Sequence, residues 1–305
     1  MKYPPPQTLT DWIRWAERQL KHARLYYGHG TETARDEAAW LVGHVAGHAP
    51  DNLEAHLVDI PGTVEIEKIR ALVEARVTTR KPLAYLLNEA WFAGLKFYVD
   101  ARALVPRSIT GEYIRERFVP WLQPENVHRA LDLCTGSGCI AVALAHAFPQ
   151  ARVDATDISD DALAVARINV ESHGLRERVR LVKSDLFTAL AGSRYDLIVT
   201  NPPYVSRDDM AALPEEYRHE PALALAAGEY GLDVIVKILA RAADYLTPGG
   251  VFVAEVGNSH AALAERFPEV PFLWLTSETG DESVFLLTAA QLVQHRARFA
   301  AVLPA

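Results

Sequence analysis

Between residues 124 and 256 short apolar segments alternate with helical ones, and this alternation restricts the possible folds more than any other feature. Segments 130–134, 152–157, 179–183, 195–200 and 251–256 read as strands. Segments 140–148, 161–172 and 232–245 read as helices. A helix after a strand carries the chain back over the sheet, so the strands run mostly parallel and both sheet faces are covered. Segments 272–276 and 284–288 differ, because they flank the turn sequence Glu278-Thr279-Gly280-Asp281 and predict a terminal antiparallel hairpin. No internal repeat is present, and residues 291–305 read as a tail.

Residues 1–90 are helical in pattern. Trp12, Ile13, Trp15, Ala16 and Leu20 recur at helical spacing, with Thr10 or Asp11 expected to cap the start. A second helix is expected after Thr33 and a third from about Val64 to before Pro82. The result is a small bundle, either a shield for its neighbour or a docking module for a substrate protein. From Trp91 to Val105 aromatics, alternation and a glycine predict a short hairpin, followed by a helix over 112–121. Residues 91–124 thus connect the bundle to a sheet domain over 125–290.

Composition removes several function classes. No apolar run approaches the ~20 residues of a membrane-spanning helix. The start, Met1 to Pro6, holds three prolines in place of an apolar signal core, so a cytoplasmic protein is expected. Cys134 and Cys139 are the only two cysteines and share one turn, where a disulfide would close almost no loop. The histidines are scattered without zinc-ligand spacing, and no metal is predicted. A net charge of −8 without a long Lys/Arg block argues against holding duplex DNA by its phosphates, and no sequence-specific nucleic-acid binding is expected.

The first chemical signal is Asp132-Leu-Cys-Thr-Gly-Ser-Gly138, which joins a strand to a helix. Gly136 and Gly138 permit a sharp turn and leave bare main chain for a ligand. The stretch also fits a dinucleotide fingerprint, so the turn alone does not choose between NAD and S-adenosylmethionine. Asp157, ending the second strand, suits the hydroxyls of a ribose in either case. Asp132 favours the second, because a carboxylate there would repel a pyrophosphate but fits a ligand with a sulfonium and an ammonium.

The second signal is Asn201-Pro202-Pro203-Tyr204 at the end of strand 195–200. Consecutive prolines cannot lie inside a central strand, so they leave its carboxyl end, where open sheets of this kind bind ligands. Average residue usage makes a chance match on the order of one in a thousand. The residue types suit methylation of a planar amide or amino nitrogen. The Asn201 side-chain oxygen and the Pro202 carbonyl can accept both N–H hydrogens, proline fixes the carbonyl, and Tyr204 offers an aromatic face.

With these motifs the chain resembles the protein-glutamine methyltransferase family of the HemK/PrmC and PrmB type, from about Trp12 to Thr288. Leu104-Val105-Pro106-Arg107, Ser184-Asp185-Leu186-Phe187, Glu220-Pro221-Ala222-Leu223 and Gly231-Leu232-Asp233 extend the resemblance. It implies a class I, Rossmann-like S-adenosylmethionine methyltransferase sheet behind an N-terminal helical domain that meets the substrate protein. It further implies that Cys134, Thr135, Gly136, Ser137, Gly138 and Asp157 hold the cofactor, that Asp185 and Leu186 lie near the adenine, and that Asn201 to Tyr204 hold the glutamine amide. Ser108, Cys134 and Val256-Gly257-Asn258-Ser259 are more similar to the branch acting on the third protein of the large ribosomal subunit than to the release-factor branch. An adenine-amino methyltransferase would use the same Asn-Pro-Pro-Tyr chemistry but predicts a basic cleft. A non-catalytic docking protein would need neither Asp132 nor Asp157.

Overall fold

A computed structural model describes residues 6–303. The reading of the prolines before Pro6 falls outside the described residues. Helices α1 (Leu9–His22), α2 (Ala34–Ala46), α3 (Thr63–Thr79) and α4 (Leu83–Leu87) form the N-terminal bundle. The cap of α1 is Thr8, not Thr10 or Asp11: Thr8 accepts from Asp11 N, and the Asp11 carboxylate accepts from Thr8 N in return. Starting there puts Leu9, Trp12, Ile13, Ala16 and Leu20 on one buried face. Thr33 caps α2 as expected. The bundle core extends into the connector through Ala90, Val99 and Val105, so the two are packed as one hydrophobic unit.

The connector contains the predicted hairpin, β1 (Ala90–Phe92) and β2 (Leu95–Phe97), then α5 (Thr110–Arg115). The helix expected over 112–121 is shorter. Arg117 and Phe118 take positive φ, and Pro120 cannot continue a helix or let its predecessor stay helical.

The remaining elements build one seven-stranded sheet. They are β3 (Arg129–Leu133), α6 (Cys139–Ala147), β4 (Arg152–Asp157), α7 (Asp160–Ser172), β5 (Val179–Lys183), β6 (Tyr195–Thr200), α8 (Arg207–Ala212), α9 (Asp233–Ala242), β7 (Leu246–Glu255), α10 (His260–Arg266), β8 (Leu273–Leu275), β9 (Val284–Thr288) and α11 (Ala289–Ala301). The order is β5-β4-β3-β6-β7-β9-β8, parallel up to β7 and antiparallel at β9 and β8. Strands fully buried on both faces explain the unbroken apolar runs, and a separate core fills each side of the sheet. The fold is the expected class I sheet with a terminal antiparallel hairpin behind a helical bundle.

The chain runs outward from β3 to β5, then returns to place β6 on the other side of β3. Strand order therefore reverses between β3 and β6, the crevice where open α/β sheets bind ligands. The residues expected to trail off after Gln291 instead form α11. Thr288 and Gln291 make a capping box, and Leu292 and Phe299 are buried, with Phe299 edge-on to Phe267. That helix covers one face of the sheet.

Candidate functional site

The ends of β3 and β6 meet by register. Leu133 pairs with Thr200, so the glycine turn and Asn201 leave the sheet side by side. The Thr200 hydroxyl ties the two ends by donating to the Leu133 carbonyl at 2.6 Å. A cavity of about 380 Å³ opens over them, inside the span of about 300–1,000 Å³ usual for small-molecule sites.

Cys134, Thr135, Gly136, Ser137, Asp157, Asp185, Leu186 and Asn201 all wall this cavity, as does Pro203. Asp132, Gly138, Pro202 and Tyr204 are not among its walls. Asp132 lies beneath the turn, fully buried, accepting from Thr135 Oγ1 and from Ala141 N. Burial pushes its carboxyl up to about 7, against the two hydrogen bonds, and its Oδ1 has no partner. It therefore shapes the turn from behind. Gly138 serves packing: a Cβ there would come within 3.0 Å of the Ala166 Cβ on α7.

Gly136 is where bare main chain meets the cavity, since nothing lies within 4 Å of a Cβ built there. Asp157 holds the same stretch, accepting from Gly136 N and Ser159 N at 2.9 Å each. Each carboxylate oxygen keeps lone-pair capacity for a hydroxyl donor. Burial raises the Asp157 carboxyl above its ordinary value, opposed by those amides. Cys134 takes φ +64, a conformation relaxed for glycine and costing a residue with a Cβ roughly 1–2 kcal/mol. Its thiol is pushed well up by burial and by the Asp157 charge, so it is an inert wall. These features fit S-adenosylmethionine: an open glycine turn, an acceptor for ribose hydroxyls, a second acid in Asp185, and no cluster of free cations waiting for phosphates. Three basic side chains line the wall: Arg102 is tied to Asp100 and Arg107 to Glu220, which leaves the exposed Lys237 as a single cation and not a cluster.

Tyr204 packs where sequence reading did not expect it. Its ring lies against Gly257, where a Cβ would approach ring carbons to 2.3 Å, and Ser259 Oγ donates to its carbonyl at 2.8 Å. Tyr204 thus braces the strand end. Burial, then the Glu255 charge, raises its phenol well above the ordinary value.

Three charged side chains around the site lie outside the residues that the sequence motifs single out for it. Arg107 and Glu220 form a bidentate pair at 2.6 and 2.9 Å, and Val105 N donates to the same carboxylate at 3.1 Å. Burial pushes Glu220 up, but the Arg107 charge prevails and holds it at about 2. This pair fixes the segment after Tyr204, whose Pro221, Leu223 and Ala224 overhang the cavity. His29 of the bundle approaches Glu220 at 3.4 Å, and Glu216 of the same segment accepts from Tyr26 N and Arg80. Both motifs were visible in the sequence, but their pairing across 113 residues was not. Glu255, at the end of β7, accepts from Ser108 Oγ, and burial raises it to about 7.

The histidines are less scattered than the sequence implied. His48 and His56 stack at 3.8 Å, with His56 Nδ1 2.8 Å from Asp59 Oδ2. Their ligand atoms fall within 4.8 Å of one another. Two near-parallel rings cannot both aim an in-plane lone pair at one ion about 2.0–2.1 Å away, so the group is a poor metal site.

The chain is similar to several known proteins. The family described as Methyltransferase small domain matches residues 116–216, and PrmC N-terminal domain matches residues 11–87. The ribosomal protein uL3 glutamine methyltransferase of Neisseria meningitidis serogroup B is 47% identical over 287 residues, 94% of each chain. That of Francisella tularensis is 45% identical over 294 residues, 96% of this chain and 93% of its own. Among solved structures, the T. thermophilus 16S rRNA methyltransferase RsmC with AdoMet and guanosine aligns at TM-score 0.42 and 24% identity, covering 66% of this chain and 49% of its own.

Proposed function

Because the chain belongs to the family of ribosomal protein uL3 glutamine methyltransferases, we propose that it methylates the side-chain amide nitrogen of a glutamine in uL3, with S-adenosylmethionine as donor. The observation that carries this reading is the pairing of Leu133 with Thr200, which sets the cofactor turn beside Asn201. The cofactor supplies a methyl group on a sulfonium, electrophilic enough for a weak nucleophile.

The protein's own residues do the positioning. Asp157 accepts ribose hydroxyls, Gly136 gives close main-chain approach, Cys134, Thr135 and Ser137 wall the site, and Asp185 and Leu186 border the adenine. An amide nitrogen is a poor nucleophile because its lone pair is delocalised into the carbonyl. Acceptance of its two N–H groups by Asn201 Oδ1 and the Pro202 carbonyl turns it toward the methyl, and positioning supplies much of the rate. Pro203 adds to the wall and Tyr204 braces the pair from behind. After transfer the nitrogen sheds one proton to solvent, so no separate base is needed to start. Arg107 and Glu220 keep the overhanging segment over the cavity, limiting water.

Residues 1–90 dock the substrate protein, 91–124 connect, and 125–290 hold the cofactor and the chemistry. No described helix is long and apolar enough to cross a membrane, and we place the enzyme in the cytoplasm, where ribosomal proteins are made. Ribosomal proteins are generally basic, and a chain of net charge −8 attracts them at long range. The test offers labelled cofactor with uL3, a release factor and RNA in separate reactions. Label on uL3 glutamine supports the reading; preferential label on a release factor or on adenine overturns it.

A further inference from the structure

A second cavity, about 350 Å³, lies between the bundle and the connector. Val105 and Pro106 line both it and the cofactor cavity, so one short stretch of chain is the partition between them. Its aromatic wall is Trp40 and Trp91. Both indole N–H groups donate to one oxygen of Glu89, at 2.8 and 3.0 Å, while His44 and Lys96 engage the other oxygen. Burial pushes the Glu89 carboxyl up, but these four partners prevail and hold it well below its usual range. The rings are therefore fixed and already satisfied, and what they have left to offer is π face and apolar edge.

The remaining wall carries one acidic side chain, Asp36, and one imidazole, His48, which stacks on His56. Asp36 lines the cavity and is exposed, and among the described residues no Lys or Arg pairs with it; its side-chain partner is the Thr33 hydroxyl at 2.6 Å. Among the described residues no Lys or Arg lines the cavity. Thr31 Oγ1, also of the lining, is buried without a hydrogen-bond partner. A ligand matching these features has a long apolar stem, a cationic head and spare N–H donors. Arginine and lysine side chains have that form, and an aromatic wall adds attraction for the cation.

Resting on the functional reading above, we propose that this second cavity receives a basic side chain of the substrate protein, near in sequence to the target glutamine. The stem lies along Trp40, Trp91 and Ala39, and the head meets Asp36 and Thr31. The shared Val105–Pro106 partition makes a polypeptide the fitting occupant, since one chain can present its amide at the edge of the cofactor cavity and a basic side chain in the second cavity. The pocket then selects which glutamine is presented.

The experiment uses the full chain with purified uL3. Asp36→Asn keeps shape and removes charge; Ala39→Leu fills the cavity at a helix position that tolerates leucine. Both are expected to raise KM for uL3 about tenfold, the loss of one charge-assisted contact. Turnover at saturation should stay within about twofold, cofactor affinity should not change, and the Asp36→Asn rate should lose part of its salt dependence. Should Ala39→Leu fail to fold by circular dichroism, the near-isosteric Asp36→Asn decides alone. Wild-type KM in the folded variants overturns the inference while leaving the functional reading intact. A wild-type enzyme inert on uL3 overturns both.

Discussion

The Thr200 hydroxyl donates to the Leu133 carbonyl at 2.6 Å, and the same two residues are register partners at the ends of β6 and β3. One hydrogen bond thus locks the cofactor turn to the residue proposed to hold the amide. Thr200→Val keeps the shape and removes the bond in a fully buried place. It should cost about 1–2 kcal/mol in urea unfolding, because the Leu133 carbonyl loses a partner. Methyl transfer should fall more than cofactor affinity does. A stability change below about 0.3 kcal/mol would mean the bond contributes little.

Asp157→Ala should weaken S-adenosylmethionine binding by about 1.5–3 kcal/mol, the usual worth of a charged hydrogen-bond partner. Calorimetry reads this directly. Since Asp157 also accepts from Gly136 N and Ser159 N, some of the loss will come from a slackened turn. Unchanged affinity in a folded variant would remove Asp157 from the cofactor site.

Gly257→Ala would push a Cβ to within 2.3 Å of the Tyr204 ring, at a residue with φ +46. Overpacking and the left-handed backbone together should cost roughly 2–4 kcal/mol. Tyr204 would have to move, so turnover should drop sharply even at temperatures where the variant stays folded. Thermal unfolding and saturating-substrate rates separate the two effects. Wild-type turnover would show that Tyr204 does not brace the active strand end.

Glu255 is raised from 4.5 to about 7 by burial, against the Ser108 hydrogen bond. Between those values the folded protein keeps a proton that the unfolded chain has released. Stability should therefore fall as pH rises through that window, by at most about 1.4 kcal/mol per pH unit from this group. Glu255→Gln cannot ionise, so its unfolding free energy should decline less steeply with pH. Asp132, also raised to about 7, acts with the same sign, so the slope shrinks without vanishing. Identical slopes in wild type and Glu255→Gln would contradict the buried-carboxyl account.

Much of this site was legible because it hangs on local patterns. The strands ending at Asp157 and Thr200 have the bounds their apolar runs predicted, and the motifs that follow them depend on nothing distant. What escaped sequence reading is set by long-range packing. Arg107 finds Glu220 across the fold, and nothing near either residue announces the other. Tyr204 reads as an aromatic platform until Gly257, on a different strand end, is seen to leave space for its ring. Asp132 reads as a ligand contact, because a sequence does not say whether a turn residue points over the turn or under it. The helix α11 escapes sequence reading for a different reason: its capping box, Thr288 and Gln291, overlaps the end of β9, so the segment reads as strand and tail.

The central claim is that Asn201 acts on the nucleophile while the neighbouring turn holds the cofactor. The most direct measurement compares wild type and Asn201→Ala in cofactor affinity and in single-turnover methylation of uL3. The account predicts affinity within about threefold of wild type and a rate lower by about 100-fold or more, the scale for losing an acceptor that matters only at the reacting atom. A single-turnover rate within a few-fold of wild type, or a fall in affinity that matches the fall in rate, would contradict it.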